Sequence, residues 1–250
     1  MRFGGIDIGS RSIEFVVVDD GGRIIQRCEA DTGFDPITQA KKLLKSVSYD
    51  CIIATGYGRN LFETTFDTPT ITEIKAHAVG AKACFNEVRT ILDIGGQDSK
   101  AIALFDNGKV KKFEMNDRCA AGTGKFLEIM AKTLGYKIDE FGREALTAEK
   151  NLAINSMCTV FAESEVTSLI ARGENRREIA KGLHIAVAKR AVAMIKRVFN
   201  GGLMVFTGGV AKNPCLCQLI SEAFGMKIHV PEAPHFVGAY GAALLARDTL

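Results

Sequence analysis

Two stretches of this chain share one plan, and that duplication restricts the fold more than any other feature. From Gly4 the sequence reads GGIDIGSRSIEFVVVDDGGRIIQRCEA: an apolar strand ending in Asp-Ile-Gly-Ser, a strand over 13–18, a DDGG turn, and a strand over 24–28. From Thr90 it reads TILDIGGQDSKAIALFDNGKVKKFEMN, again strand, Asp-Ile-Gly-Gly, strand, Asp-Asn-Gly turn and strand. Asp7 to Asp20 and Asp93 to Asp106 are both 13 residues apart, so the two hairpins match in register as well as in type.

The segments around the meanders alternate. Helical patterns cover about 36–47 and 71–85, with a strand at 51–54 between them. Further helical patterns run over 123–134, 159–172 and 176–199, followed by a strand at 203–206, a helix at 214–224, a short strand near Ile228 and a closing helix at 237–247. This predicts an α/β chain of two lobes, with the last helix returning to the first. The boundaries expected are 1–86 plus 236–250 for the first lobe and 87–235 for the second.

With 250 residues, 47% of them apolar, and a mean hydropathy of +0.08, the chain has enough apolar surface for a core without disulfides. Its seven cysteines are odd in number and form no CxxC pair, which predicts reduced thiols. No run approaches the roughly 20 apolar residues of a membrane span, and the first residues lead straight into a strand pattern with no signal-peptide profile. A cytoplasmic protein with no membrane association is expected. The net charge is +3 with both signs interspersed, so there is no basic stripe for nucleic acid.

Each meander carries an acid and glycines at its first bend: Asp7, Gly9 and Ser10 in one, Asp93, Gly95, Gly96 and Gln97 in the other. Glycine permits close approach of backbone N–H groups to an anion, and a nearby carboxylate can hold Mg²⁺ through water. One such bend is equally a tight hairpin; two facing each other point to a polyphosphate. A third element, VFTGGVAKNP at 205–214, reads as a strand, a double-glycine bend and a helix start against which an adenine could lie, or as a plain strand-to-helix turn.

DIGS, DIGGQDS, TGGVAKN and the terminal VGAYGAALLA resemble the phosphate-1, phosphate-2, adenosine and final-helix motifs of the superfamily of acetate and sugar kinases, heat-shock ATPases and actin. Within it, NDRCAAGTGKF and INSMCTVFAESEV are similar to one branch, the ATP-dependent activators of 2-hydroxyacyl-CoA dehydratases, related to the ATPase subunits of benzoyl-CoA reductase. The resemblance covers essentially the whole chain, and its cysteine motifs are the specific part. It implies a duplicated RNase H-like, actin-like ATPase fold with a nucleotide cleft between two lobes.

Cys119 and Cys158 each precede a predicted helix, and a helix N-terminus favours a thiolate. On the residues alone they are equally small buried hydrophobes, or half of a zinc Cys₄ site on a two-fold axis. The resemblance implies that these two ligate one [4Fe–4S] cluster bridging a homodimer. Cys215 and Cys217, at i and i+2, point to different helix faces, and Cys28, Cys51 and Cys84 fall in core patterns. His77, His184, His229 and His235 show no ligand pairing.

The same resemblance assigns roles. Asp7 and Asp93 orient Mg²⁺ and its waters, Gln97 positions the attacking water, and Gly9, Ser10, Arg11, Ser12, Gly95 and Gly96 line the phosphates of ATP or ADP. Gly208, Gly209 and Lys212 frame the adenosine. The implied activity is ATP-driven one-electron transfer from a ferredoxin or flavodoxin to a dehydratase or reductase partner; a sugar-type kinase and a non-redox ATPase switch are the rivals. Arg59 in TGYGRN faces the nucleotide or the partner, or merely belongs to a glycine turn. Glu163 and Glu165 after Cys158 supply early-turn helix charge, or contribute to tuning the cluster. In one departure, DIGSRSIE offers Arg11 and Glu14 where the activators commonly carry a lysine a few residues after the first loop.

Overall fold

The computed structural model describes residues 1–45, 47–154 and 158–249. The first meander folds as β1 (Phe3–Ile8), β2 (Ser12–Val18) and β3 (Ile24–Asp31). After helix α1 (Pro36–Lys45), β4 (Cys51–Thr55) pairs with β1 in parallel, giving the order β3-β2-β1-β4. The second meander repeats this with β5 (Val88–Ile94), β6 (Ser99–Leu104) and β7 (Val110–Asn116). Here β8 (Leu203–Thr207) joins β5 in parallel, and a two-residue β9 (Ile228–His229) completes the order β7-β6-β5-β8-β9. The duplication seen in sequence is therefore a duplication of topology.

Two helices join the sheets. Helix α3 (Glu73–Cys84), which follows α2 (Arg59–Phe66), packs Ala78 and Ala81 against Ile91, Ile102 and Val205 of the second sheet. The closing α9 (Val237–Asp248) returns to the first sheet, where Ala239, Ala242, Ala243 and Ala246 meet Phe3, Val16, Val18 and Ile53. The two helices cross through glycine: a Cβ on Gly241 would overlap the Ala76 carbonyl, and one on Gly80 the Val237 carbonyl. VGAYGAALLA is thus a small-residue face that lets backbones touch.

The largest core lies behind the second sheet. Leu92, Ile94 and Phe206 pack there against α4 (Gly124–Thr133), α5 (Ile138–Leu146), α7 (Arg176–Val198) and α8 (Pro214–Phe224). Each large apolar side chain so buried contributes roughly 1.5–3 kcal/mol. Helix α6 (Thr159–Ala171) buries only Ala162 and Val166.

Helices α2 and α5 have no counterpart in the sequence expectation. The first starts directly out of the TGYG bend and carries two weak helix formers, Thr64 and Thr65; the second is interrupted by Gly142. That glycine is required because a Cβ would overlap the Asn213 side chain. Cys84, expected in the core, is exposed at the end of α3. Among the described residues no disulfide forms and no helix is long and apolar enough to cross a membrane.

Candidate functional site

The strand registers place one residue row at the end of each sheet. In the first sheet Asp7 is opposite Thr55 on β4 and Glu14 on β2, and Glu14 is opposite Glu29 on β3. In the second, Asp93 is opposite Thr207 on β8 and Lys100 on β6, and Lys100 is opposite Met115 on β7. The rows Thr55–Asp7–Glu14–Glu29 and Thr207–Asp93–Lys100–Met115 are therefore topological equivalents. Each threonine is followed by a left-handed glycine beside its row's aspartate. Gly208 has φ +83°, and a Cβ there would lie 2.8 Å from Asp93 Oδ1; Gly56 has φ +94° and no room for a Cβ beside Asp7 Oδ1. TGYGRN and TGGVAKN are thus matching segments, a correspondence legible only once the strands are paired.

A cleft of about 840 Å³ opens between the rows. It is lined by every residue expected to bind nucleotide: Asp7, Gly9, Ser10, Arg11 and Ser12 from the first loop, Asp93, Gly95, Gly96 and Gln97 from the second, and Gly208, Gly209 and Lys212 from the third. The two glycine loops touch, since a Cβ on Gly96 would lie 3.1 Å from Ser10 Oγ and 2.9 Å from Arg11 Cβ. Gln97 is exposed within the cleft. Cys119 and Cys158 are not in its lining.

The electrostatics of the rows differ. Lys100 Nζ lies 2.6 Å from Glu73 Oε2, 2.6 Å from Asp98 Oδ2 and 3.3 Å from Asp93 Oδ2. Burial opposes its charge, but Asp93, Glu73 and Asp98 together raise its pKa. Asp93 also accepts from Thr207 Oγ1 at 3.0 Å and lies 3.5 Å from His77 Nδ1. Burial pushes Asp93 up, yet His77, Lys100 and Thr207 outweigh it and hold the carboxyl below its ordinary value. Asp7 is the reverse: burial, then Glu14 and Glu73, push it well above the carboxylate range. Glu14, only 5% exposed, is raised to about 7 by burial and Glu29, against the Ser12 hydroxyl that donates to it and the Lys212 charge.

Glu14, Glu73, His77, Asp98 and Lys100 are cleft residues that the sequence reading did not assign. Two spacings carried the signal: Glu14 and Lys100 both stand seven residues after their loop aspartate, and Glu73 and His77 stand one helical turn apart.

The second loop is tied to α4. Gly124 N–H donates to the Gly95 carbonyl at 2.9 Å and Lys125 N–H to the Gly96 carbonyl at 2.8 Å, so loop carbonyls satisfy the helix's first donors. Immediately before this helix, the loop bearing Cys119 is braced by Asn116 Nδ2, which donates to the Cys119 carbonyl at 2.9 Å, and by Thr123 Oγ1, which donates to the Ala120 carbonyl at 2.6 Å. Cys119 is half-buried and lies four residues before the N-cap Thr123, whereas Cys158 is exposed and is itself the N-cap of α6. Residues 155–157 of the INSMC motif lie outside the described residues.

Among the described residues no three metal-binding side chains converge. With two candidate thiols per chain, a four-thiolate group fits only where a second copy supplies the other pair. Cys215 and Cys217 pack in the core behind the second sheet, where burial raises both thiols to about 11.

Residues 5–246 match the BadF/BadG/BcrA/BcrD ATPase family. The activator of lactoyl-CoA dehydratase from Anaerotignum propionicum is 41% identical over 98% of this chain and 96% of its own length. The (R)-2-hydroxyglutaryl-CoA dehydratase activating ATPase of Acidaminococcus fermentans is 37% identical over 97% of this chain and 95% of its own. The activator of the 2-hydroxyisocaproyl-CoA dehydratase from Clostridium difficile, solved with bound ADPNP, superposes with a TM-score of 0.91 at 36% identity, covering 100% of this chain and 95% of that one.

Proposed function

This chain belongs to the BadF/BadG/BcrA/BcrD ATPase family, and from that premise we propose that it is an activator, coupling ATP hydrolysis to transfer of one electron from a ferredoxin or flavodoxin to a dehydratase or reductase partner. The observation that carries this reading is the tether of Gly124 and Lys125 to the carbonyls of Gly95 and Gly96. A loop suited to gripping phosphate and the helix after Cys119 share hydrogen bonds, so a shift of one is felt by the other.

In the cleft, backbone donors of Gly9, Ser10, Gly95 and Gly96, with Arg11 and Ser12, hold the phosphates of ATP. Asp7 and Asp93 orient Mg²⁺ and its waters, Gln97 positions the attacking water, and Gly208, Gly209 and Lys212 frame the adenosine. The lobes that close on it are 1–86 with 236–250, and 87–235.

Cys119 and Cys158, with the same pair from a second copy, would hold one [4Fe–4S] cluster, which when bound supplies one-electron chemistry at low potential. Supporting the homodimer, Val160 and Phe161 stand 67% and 68% exposed directly after Cys158, an apolar patch suited to a second copy across a two-fold axis. The reading places the protein in the cytoplasm, where thiols stay reduced.

Purification without oxygen tests it. The expected protein is a brown dimer with a broad absorption at about 400 nm, and Cys119→Ser or Cys158→Ser loses colour and iron while ATP binding persists. A colourless wild type that still hydrolyses ATP would leave the ATPase and remove the redox function; acceptor-dependent ADP release would then identify a kinase.

A further inference from the structure

The two rows match at threonine and aspartate and diverge at the next position, where the first sheet has Glu14 and the second Lys100. Both side chains are buried, both line the cleft, and each stands directly across its hairpin from the loop aspartate. Directly opposed residues share a sheet face and interact, so one row sets an ammonium across from its aspartate and the other sets a second carboxyl there. Lys100 does more than face Asp93. Its ammonium joins residues from three elements: Asp93 of β5, Asp98 of the second loop, and Glu73 from the first turn of α3. On the same helix one turn later, His77 reaches the far oxygen of Asp93, Oδ1. Asp93 is therefore held on both carboxylate oxygens: Oδ1 accepts from Thr207 at 3.0 Å with His77 of α3 standing 3.5 Å away, and Oδ2 pairs with Lys100, which reaches α3 through Glu73.

We propose that Lys100 is the positioning residue of this cleft, holding Asp93 oriented and tying it to helix α3 through Glu73, and that Glu14 denies Asp7 the equivalent clamp, making the two duplicated aspartates functionally unequal. The proposal rests on the nucleotide-cleft reading. Lys100 acts through Asp93: a carboxylate that must orient a cation and its waters contributes to turnover only when its own direction is fixed. Asp7 faces a second buried carboxyl, no ion pair reaches it among the described residues, and Lys100 acts on it only from a distance, so it is not interchangeable with Asp93.

Removing Lys100 alone leaves three carboxylates crowded, with Asp93 buried and Glu73 and Asp98 half-buried, which can unfold the chain. The decisive variant therefore neutralises the cluster around Asp93: Lys100→Met with Glu73→Gln and Asp98→Asn. It is compared with wild type by thermal melting, by titration with Mg²⁺–ADP, and by steady-state ATP turnover. The expected result is native melting, ADP affinity within about threefold, and kcat lowered about tenfold or more with KM little changed. Adding Glu14→Lys to this background restores a lysine to the cleft on the wrong row, and kcat is expected to stay low.

Turnover within about twofold of wild type in the neutralised variant overturns the proposal, as does recovery on adding Glu14→Lys, which would show that charge counts and position does not. A parallel loss of ADP affinity and turnover also overturns it, because Lys100 would then be an ordinary binding group. Wild type that neither binds nor hydrolyses ATP defeats the nucleotide reading and this proposal together. Wild type that turns over beside an unaffected variant defeats this proposal alone.

Discussion

Arg11 of the first glycine loop pairs with Glu128 of α4 at 3.1 Å, so a residue expected to contact phosphate is held by the helix that the second loop caps. Lys125 leans on the same carboxylate at 3.4 Å. These are exposed pairs, each contributing about 0–1 kcal/mol. Glu128→Gln is accordingly expected to leave the melting temperature almost unchanged and to tighten Mg²⁺–ADP binding severalfold by freeing both cations. Titration calorimetry reads this directly, and unchanged affinity would remove Arg11 from the phosphate contacts.

The duplicated meanders, the α/β class and the three glycine loops were legible in sequence because they depend on local chemistry: a turn signal, a strand period, a glycine before a helix. What was not legible depends on pairing. Glu14 and Lys100 look like unrelated strand residues until the registers set them across from Asp7 and Asp93. Glu73 and His77 look like two polar positions on an amphipathic helix until α3 packs on the second sheet and points them into the cleft. The glycines of the last helix resemble the superfamily's final-helix motif in sequence, and only the packed structure shows what they do: Gly241 makes room for the crossing with α3, and Gly238 for the Asp7 carboxylate. Helix α5 is not legible in the sequence because Gly142, placed to clear Asn213, interrupts its pattern.

Glu14 makes stability depend on pH with a definite sign. Its pKa is raised to about 7 in the fold, above its unfolded value, so the native state binds the extra proton between about pH 4.5 and 7. Its stabilising contribution is full below the unfolded pKa and is lost as pH rises through about 7, to an upper limit of about 3 kcal/mol. The groups facing it are Asp7, Glu29, Ser12 and Lys212, and Glu14→Gln removes the ionisation while keeping a hydrogen-bonding side chain. Urea denaturation should find E14Q more stable than wild type at about pH 8, with the difference shrinking towards about pH 5. A gap of the opposite trend would place the titration elsewhere.

Two glycines separate stability from binding. At Gly241 an added methyl would overlap the Ala76 carbonyl, so α3 and α9 must part; Gly241→Ala is expected to cost about 2–3 kcal/mol. At Gly209, which lines the cleft, a Cβ meets nothing within 4 Å. Gly209→Ala should therefore fold with wild-type stability or slightly better, through reduced unfolded-state entropy, while adding bulk where the adenosine is proposed to lie. Chemical denaturation and ADP titration of the pair should show one variant defective only in stability and the other only in affinity.

Asn213 joins the third loop to the core of the second sheet. Its Oδ1 accepts from Leu216 N–H at 3.1 Å as the N-cap of α8, and its Nδ2 donates to His184 Nε2 at 2.9 Å. The other ring nitrogen, Nδ1, then donates to the Ala180 carbonyl at 2.7 Å, and burial keeps His184 neutral, its pKa lowered to about 4. Asn213→Ala removes the cap, costing about 1 kcal/mol, and strands a buried acceptor, costing about 1–3 kcal/mol more. Asn213→Asp keeps the cap but faces the ring with a carboxylate, which favours the protonated imidazole. Wild-type His184 contributes stability above its unfolded pKa of about 6.5 and loses it as pH falls through about 4, whereas in N213D that loss is reduced. Denaturation series should therefore show the deficit of N213D largest at about pH 7 and narrower at about pH 5, with N213A showing no such narrowing. Parallel curves for the two variants would mean that Asn213 acts as a helix cap alone.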